Sequence, residues 1–264
     1  MLSEVLTFIF FILIGLEIRE GLNKPKDAIL PALAALGGMI VPALIFIAMI
    51  PGSDAWAVSM PTDVALAIGA LSILGKRVNP AVRLFLLTLA VADDFFSLVV
   101  IGIFFRQDLH FASAIYTLGA AAIGFLLPFR HRLIAILSPI ATFAIIPIYI
   151  FINLLTKLDF SISTESIVVA VVVARVIGKV LGITLFTYLA TRFTSLKLPL
   201  ALDLKEIVGV GFLAGMGLTV SIVIAEITLQ TESELAQVRM GLFFAAILSG
   251  LLGLLWLKRF PASL

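Results

Sequence analysis

Asp93 and Asp94 stand side by side in LAVADDFFSLVV, residues 89–100, a stretch otherwise made almost wholly of apolar side chains. Adjacent carboxylates repel, and removal from water disfavours their charged forms, so one of the pair is expected to take a proton readily. The same oxygens suit sodium and lithium, hard cations that accept carboxylate, hydroxyl and carbonyl ligands. If proton and cation compete for one set of oxygens, occupancy by either expels the other, and exchange follows. Asp63, Arg175 and Lys179 also lie within long apolar runs. Each would cost at least about 2.5–3.5 kcal/mol at the centre of a membrane helix, where such residues usually face a bundle interior or a watery cavity. A structural network of paired charges is the competing account of these three acids and two bases. The adjacent acids weigh against it, because they point about 100° apart on a helix and one base does not readily serve both.

The composition supplies the solvent for that chemistry. Of 264 residues, 62% are hydrophobic and 13% are charged, and the mean hydropathy is +1.22. So much apolar surface fits a bilayer protein rather than a soluble domain. The absence of Cys excludes disulfides and thiolate metal sites. His110 and His131, at segment ends without neighbouring ligands, read as solvated. No Lys or Arg precedes the first apolar run, so no cleavable signal is expected.

A spanning helix needs about 20 mostly apolar residues. The chain divides into nine such segments, roughly 2–18, 28–50, 55–75, 80–105, 111–129, 133–155, 166–190, 205–229 and 236–257. Glu4 interrupts the first, which also fits an interfacial anchor. Nine crossings put thirteen basic residues on one side, among them Arg19, Lys76, Arg83, Arg132, Arg192, Lys197, Lys205 and Arg259. Three, Arg106, Lys157 and Arg239, fall on the other. That bias predicts an external N-terminus and a cytoplasmic C-terminus.

Two segments carry breaks. In AVSMPTDVALAIGALSIL, Pro61 removes a backbone donor inside a hydrophobic span, and Thr62 and Asp63 are natural helix N-caps. In VGVGFLAGMGLTVSIVIA, Gly209, Gly211, Gly215 and Gly217 fit either an unwound middle or close helix packing. The broken segments hold matching places in two triplets, segments two to four and seven to nine. Five crossings separate the triplet starts, so the triplets are inverted, as in transporters with midplane ion sites at discontinuous helices. Asp63 and Lys179 have the right charges to compensate half-helix ends.

The stretches GLEIRE, ALGGMIVPALIF, PTDVALAIGALSILG, LTLAVADDFFSLVVI, GKVLGITLF and GFLAGMGLTVSI together resemble the NhaA-type bacterial sodium/proton antiporters. The resemblance runs in order over most of residues 1–105 and 128–258. It implies an all-α polytopic fold with inverted repeats, here about 26–105 and 165–258 of a single domain 1–264. The implied activity is export of sodium or lithium across the bacterial cytoplasmic membrane in exchange for more than one proton, serving pH and sodium homeostasis. The protein would be a secondary transporter rather than an enzyme, with no cofactor and no nucleic-acid partner. By motif position, Asp94 is the principal cation ligand, Asp93 a proton-carrying partner of Lys179, and Thr62 a further ligand. Asp63 and Lys179 compensate the broken helices, and Glu17 and Glu20 line the cytoplasmic mouth or sit as interfacial charges.

Departures from the family are equally specific. The family has about twelve spans; this chain starts at what resembles the second and lacks roughly two between residues 105 and 128. The dimer-forming hairpin is missing, so a homodimer is not expected. PFRHRLIAIL places Ile134 where the family's best-known member has an acidic residue, so altered pH regulation is expected. Arg175 is an extra buried cation one turn before Lys179, expected to pair with an acid or to repel the lysine. A carrier of another solute on a related fold and a shortened, non-transporting relic are the alternatives.

Overall fold

The computed structural model describes residues 2–21, 25–75, 78–104, 111–128, 130–199 and 202–260. Among them no strand occurs, and the α-helices are α1 (Leu2–Gly21), α2 (Pro25–Met49), α3 (Val64–Ile73), α4 (Pro80–Phe104), α5 (Phe111–Leu126), α6 (Arg130–Ile140), α7 (Ile146–Asn153), α8 (Ser166–Val173), α9 (Lys179–Phe193), α10 (Leu204–Ala214), α11 (Thr219–Thr228) and α12 (Glu232–Arg259). Five described stretches are long and apolar enough to cross a bilayer: 28–49, 54–73, 132–157, 166–193 and 232–259. A sixth is the pair α10 and α11, bent by 51°. Helices satisfy their own backbone groups, as a lipid environment demands. The chain is an all-α, multi-pass membrane protein.

Local chemistry sets the helix ends. Pro25 and Pro80 open α2 and α4, where a missing N–H costs nothing. Asp203 and Glu206 form a reciprocal capping box on α10, and the Thr231 hydroxyl accepts from the Glu234 amide at the start of α12. Lys258 and Arg259 close α12, where cations complement the helix dipole.

Both expected breaks are present. The first span is a short 3₁₀ helix, Asp54–Ser59, followed by non-helical residues through Asp63 and then α3. The second runs α10, a break at 215–218, then α11. Two π turns, Ala141–Ile145 and Ala174–Gly178, interrupt otherwise continuous rods between α6 and α7 and between α8 and α9. Phe11, Ile14 and Leu16 are buried, and α1 crosses α5 so closely that a Cβ on Gly15 would meet the Ala121 carbonyl and one on Gly124 the Ile12 carbonyl.

The core consists of two apolar clusters. One gathers Phe11, Met39, Phe46, Val58, Val171, Ile222 and Leu242; the other gathers Leu30, Ala34, Leu71, Leu86, Ile183, Ile207 and Leu257. Most spans pass from one cluster to the other, and the change falls at the charged residues. It lies between Leu89 and Leu98 around the aspartate pair, between Ala174 and Ile183 around Arg175 and Lys179, and between Met60 and Ala67 around Thr62 and Asp63. Direction alternates along the chain. α2 runs from the second cluster to the first, the 54–73 span back, and α4 forward again. The 166–193 rod, the α10–α11 pair and α12 follow the opposite order: first to second, second to first, first to second.

Candidate functional site

The boundary between the clusters holds the ionisable side chains that stood out in the sequence. Asp93, Arg175 and Lys179 have no exposed surface, and Thr62, Asp63 and Asp94 are nearly as enclosed. α4 presents the two aspartates, the π turn and the first residue of α9 present the two bases, and the break before α3 presents Thr62 and Asp63. Glu17, half-buried on α1, is close enough to Asp63 and Asp94 for their charges to interact. The Glu20 side chain lies outside the described residues. Three enclosed carboxyl groups therefore share this level with two bases, and Glu17 adds a fourth acid within range of their charges. Full ionisation would leave an excess of negative charge that protons or cations must balance.

Lys179 and Asp93 form a fully buried ion pair, Nζ to Oδ2 at 3.0 Å. Lys179 also donates to the Thr62 hydroxyl at 2.9 Å and to the Met60 carbonyl, which uses all three ammonium donors. Asp94 has no ion pair among the described residues. Its Oδ1, like Asp93 Oδ1 and the Ser97 hydroxyl one turn along α4, is buried with no hydrogen-bond partner. Buried polar atoms are normally satisfied, so these oxygens are suited to a small cation or proton. Among the described residues no group of three or more His, Asp or Glu side chains is gathered as a metal site. Thr62, expected beside the aspartates as a ligand, is held by Lys179.

Asp63 joins the two breaks. Its Oδ1 accepts from the Leu66 amide at 3.3 Å, capping α3, and its Oδ2 accepts from the Thr219 amide at 3.3 Å and the Thr219 hydroxyl at 2.7 Å, at the start of α11. A carboxylate shared by two helix N-termini matches the sign of both dipoles. Of the two roles weighed for Arg175, pairing with an acid and repulsion of the lysine, the first has no ion pair to support it among the described residues. The hydrogen bonds of Arg175 go to the carbonyls of Val58, Pro61 and Gly215 and to the Ser221 hydroxyl. Ser221 and Thr219 were not singled out from sequence; their place just after the glycine-rich break was the available signal. Glu226, near the far end of α11, lies 3.7 Å from the buried Arg239 and apart from this cluster.

The chain matches the family model described as Na+/H+ antiporter 1 over residues 1–131 and 128–257. It is 31% identical to Na(+)/H(+) antiporter NhaA 2 of Aliarcobacter butzleri over 318 residues, covering 96% of this chain and 80% of that protein. It is 30% identical to Na(+)/H(+) antiporter NhaA of Salmonella typhimurium over 319 residues, with 97% and 82% covered. For the NhaA of Actinobacillus pleuropneumoniae serotype 7 the identity is 31% over 315 residues, with 95% and 80% covered. These matches are longer than the 264 residues of this chain, so the relatives carry internal residues that it lacks. The two family-model matches overlap at 128–131, where α6 begins. With its paired aspartates, broken spans and buried lysine in the order the family resemblance requires, the chain belongs to the Na+/H+ antiporter 1 family.

Proposed function

We propose that the protein exchanges sodium or lithium for protons across the bacterial cytoplasmic membrane, expelling the metal ion as protons enter. Asp94 carries this reading: it is an enclosed carboxylate with an unpartnered oxygen, beside an Asp93 already paired to Lys179. In the proposed cycle Asp94 is the principal cation ligand. Breaking the Asp93–Lys179 pair would allow that pair to take up a proton, and its re-formation would release it. Thr62 would join the ligands when Lys179 lets go of it. Asp63 holds the two helix N-termini, and Glu17 is the intermediate acid between the cluster and the cytoplasmic mouth.

The alternating directions of the spans support an inverted pair of repeats, about 26–105 and 165–258, within nine crossings. The N-terminus would be external and the C-terminus cytoplasmic, consistent with the packing against the second cluster of Leu74 and Val78, and of Leu196 and Leu198, which border the basic stretches of the sequence.

Dequenching of a pH-sensitive dye in everted vesicles tests the exchange. Sodium and lithium should release protons, whereas potassium should not. Proton movement that depends on an organic solute instead would favour a carrier of another cargo. No flux at all in properly inserted protein would favour the relic.

A further inference from the structure

Each broken span leaves a set of bare amides and a set of bare carbonyls inside the protein. The amide ends share Asp63. The carbonyl ends have two buried cations, and these divide the acceptors unequally. Lys179 reaches one carbonyl, that of Met60, and spends its other two donors on Thr62 and Asp93. Arg175 donates from Nη1 to Val58 O at 2.7 Å, from Nη2 to Pro61 O at 2.8 Å and from Nε to Gly215 O at 3.1 Å, and Nη1 also reaches Ser221 Oγ at 2.8 Å. Val58 and Pro61 belong to the first broken span, Gly215 to the end of α10 and Ser221 to α11. One side chain therefore bridges both breaks.

We propose that Arg175 is the positioning residue that ties the carbonyl ends of the two broken spans together, leaving Lys179 free to serve Asp93. The proposal rests on the reading of Asp93 and Asp94 as the exchange site. A guanidinium suits the task because it is planar, permanently charged and carries five donors, where an ammonium has three. Its partners are dipoles and a hydroxyl, none of which changes charge as protons and cations come and go. Lys179 can then release Asp93 during a cycle without the crossing coming apart. Room for the strap is built in: a Cβ on Gly217 would strike Arg175 Nη2 and the Pro61 carbonyl.

The test uses the full chain purified in detergent for thermal unfolding and reconstituted in proteoliposomes for sodium-driven proton movement. Arg175→Met should lower the unfolding midpoint more than the double variant Asp93→Asn with Lys179→Met, which removes the lysine without stranding a charge. Arg175→Lys should restore most of the midpoint. With fewer donors than there are acceptors, it should raise half-saturating sodium about threefold or more while leaving the maximal rate nearly unchanged. Gly217→Ala should reproduce that sodium shift. A double variant that unfolds at or below the temperature of Arg175→Met, or native sodium affinity in Arg175→Lys, overturns the assignment. Failure of Arg175→Met alone to accumulate in membranes satisfies the expected order; if neither it nor the double variant accumulates, the sodium shift in Arg175→Lys decides. A native chain without exchange would refute the antiport reading while the unfolding order still decides the strap.

Discussion

Asp93 and Asp94 are identical in type and adjacent in sequence, and what separates them is what touches them. Both keep an Oδ1 without a donor, but Asp93 is neutralised through Oδ2 by Lys179 at 3.0 Å, whereas no ion pair reaches Asp94 among the described residues. Replacing Asp94 by Asn removes the charge and one carboxylate oxygen from the proposed ligand set. Sodium-driven and lithium-driven proton release should be lost while membrane insertion and unfolding midpoint stay near native values. Substantial exchange in that variant would refute the ligand assignment. Asp63 should behave in the opposite way, since it caps two helices at once. Loss of an N-cap costs about 0.5–2 kcal/mol, so Asp63→Ala should lower stability by roughly twice a single cap, with Asp63→Asn milder because it retains an acceptor. An Asp63→Ala variant with a native midpoint would show that the shared cap is not stabilising. The aspartates and the lysine were legible in the sequence because charged types are conspicuous in apolar runs. The partners of Arg175 were not, because they are carbonyls, which every residue carries and none advertises.

Helix breaks were legible where residue chemistry marks them and obscure where it does not. Pro61, Thr62 and Asp63 announce both the missing donor and the new cap, and the chain leaves helix at that point. The glycines of the second break turn out to serve both of the roles weighed for them. Gly209 and Gly211 permit close packing, where a Cβ would meet Leu257 and the Val180 backbone; Gly215 and Gly217 lie within the break. The π turns at 141–145 and 174–178 have no comparable signature, since a one-residue shift in bonding needs no special side chain. Close crossings are similarly hidden until partners are known. A Cβ on Gly182 would meet the Gly37 carbonyl, and one on Gly37 the Gly182 carbonyl, so α2 and α9 touch through bare backbone. Gly182→Ala should therefore destabilise the protein by about 1–3 kcal/mol through overpacking. Gly69, in α3, faces open space, and Gly69→Ala should be neutral or stabilising by up to about 1 kcal/mol through helix propensity. Thermal unfolding of the two variants in the same detergent checks the crossing; equal midpoints would contradict it.

At the scale of the whole molecule, hydropathy was the clearest signal, and the number and direction of crossings depend on how each segment meets its neighbours. The predicted segments at 133–155 and 166–190 each become two helices joined by a π turn, the predicted span at 55–75 becomes a 3₁₀ helix and α3 on either side of a non-helical break, and that at 205–229 becomes a bent pair. The apolar clusters supply an internal reference, because α2 enters from the second cluster whereas the 166–193 rod enters from the first. If the two triplets are inverted, the joint after α3 and the joint after α9 must face the same side, for both lie at the second cluster's end. The native chain has no Cys, so single cysteines report sidedness without background. Probes at Lys76 and Lys197 should both react with an impermeant reagent from the cytoplasm, and probes at Asp54 and Glu232 from outside. The basic joints agree with this assignment, since positive charge is retained on the cytoplasmic side. Labelling of Lys76 and Lys197 from opposite faces would make the triplets parallel. The half-helix N-termini that Asp63 serves together would then have to approach it from the same side of the membrane, and the exchange mechanism built on their meeting would fall with the topology.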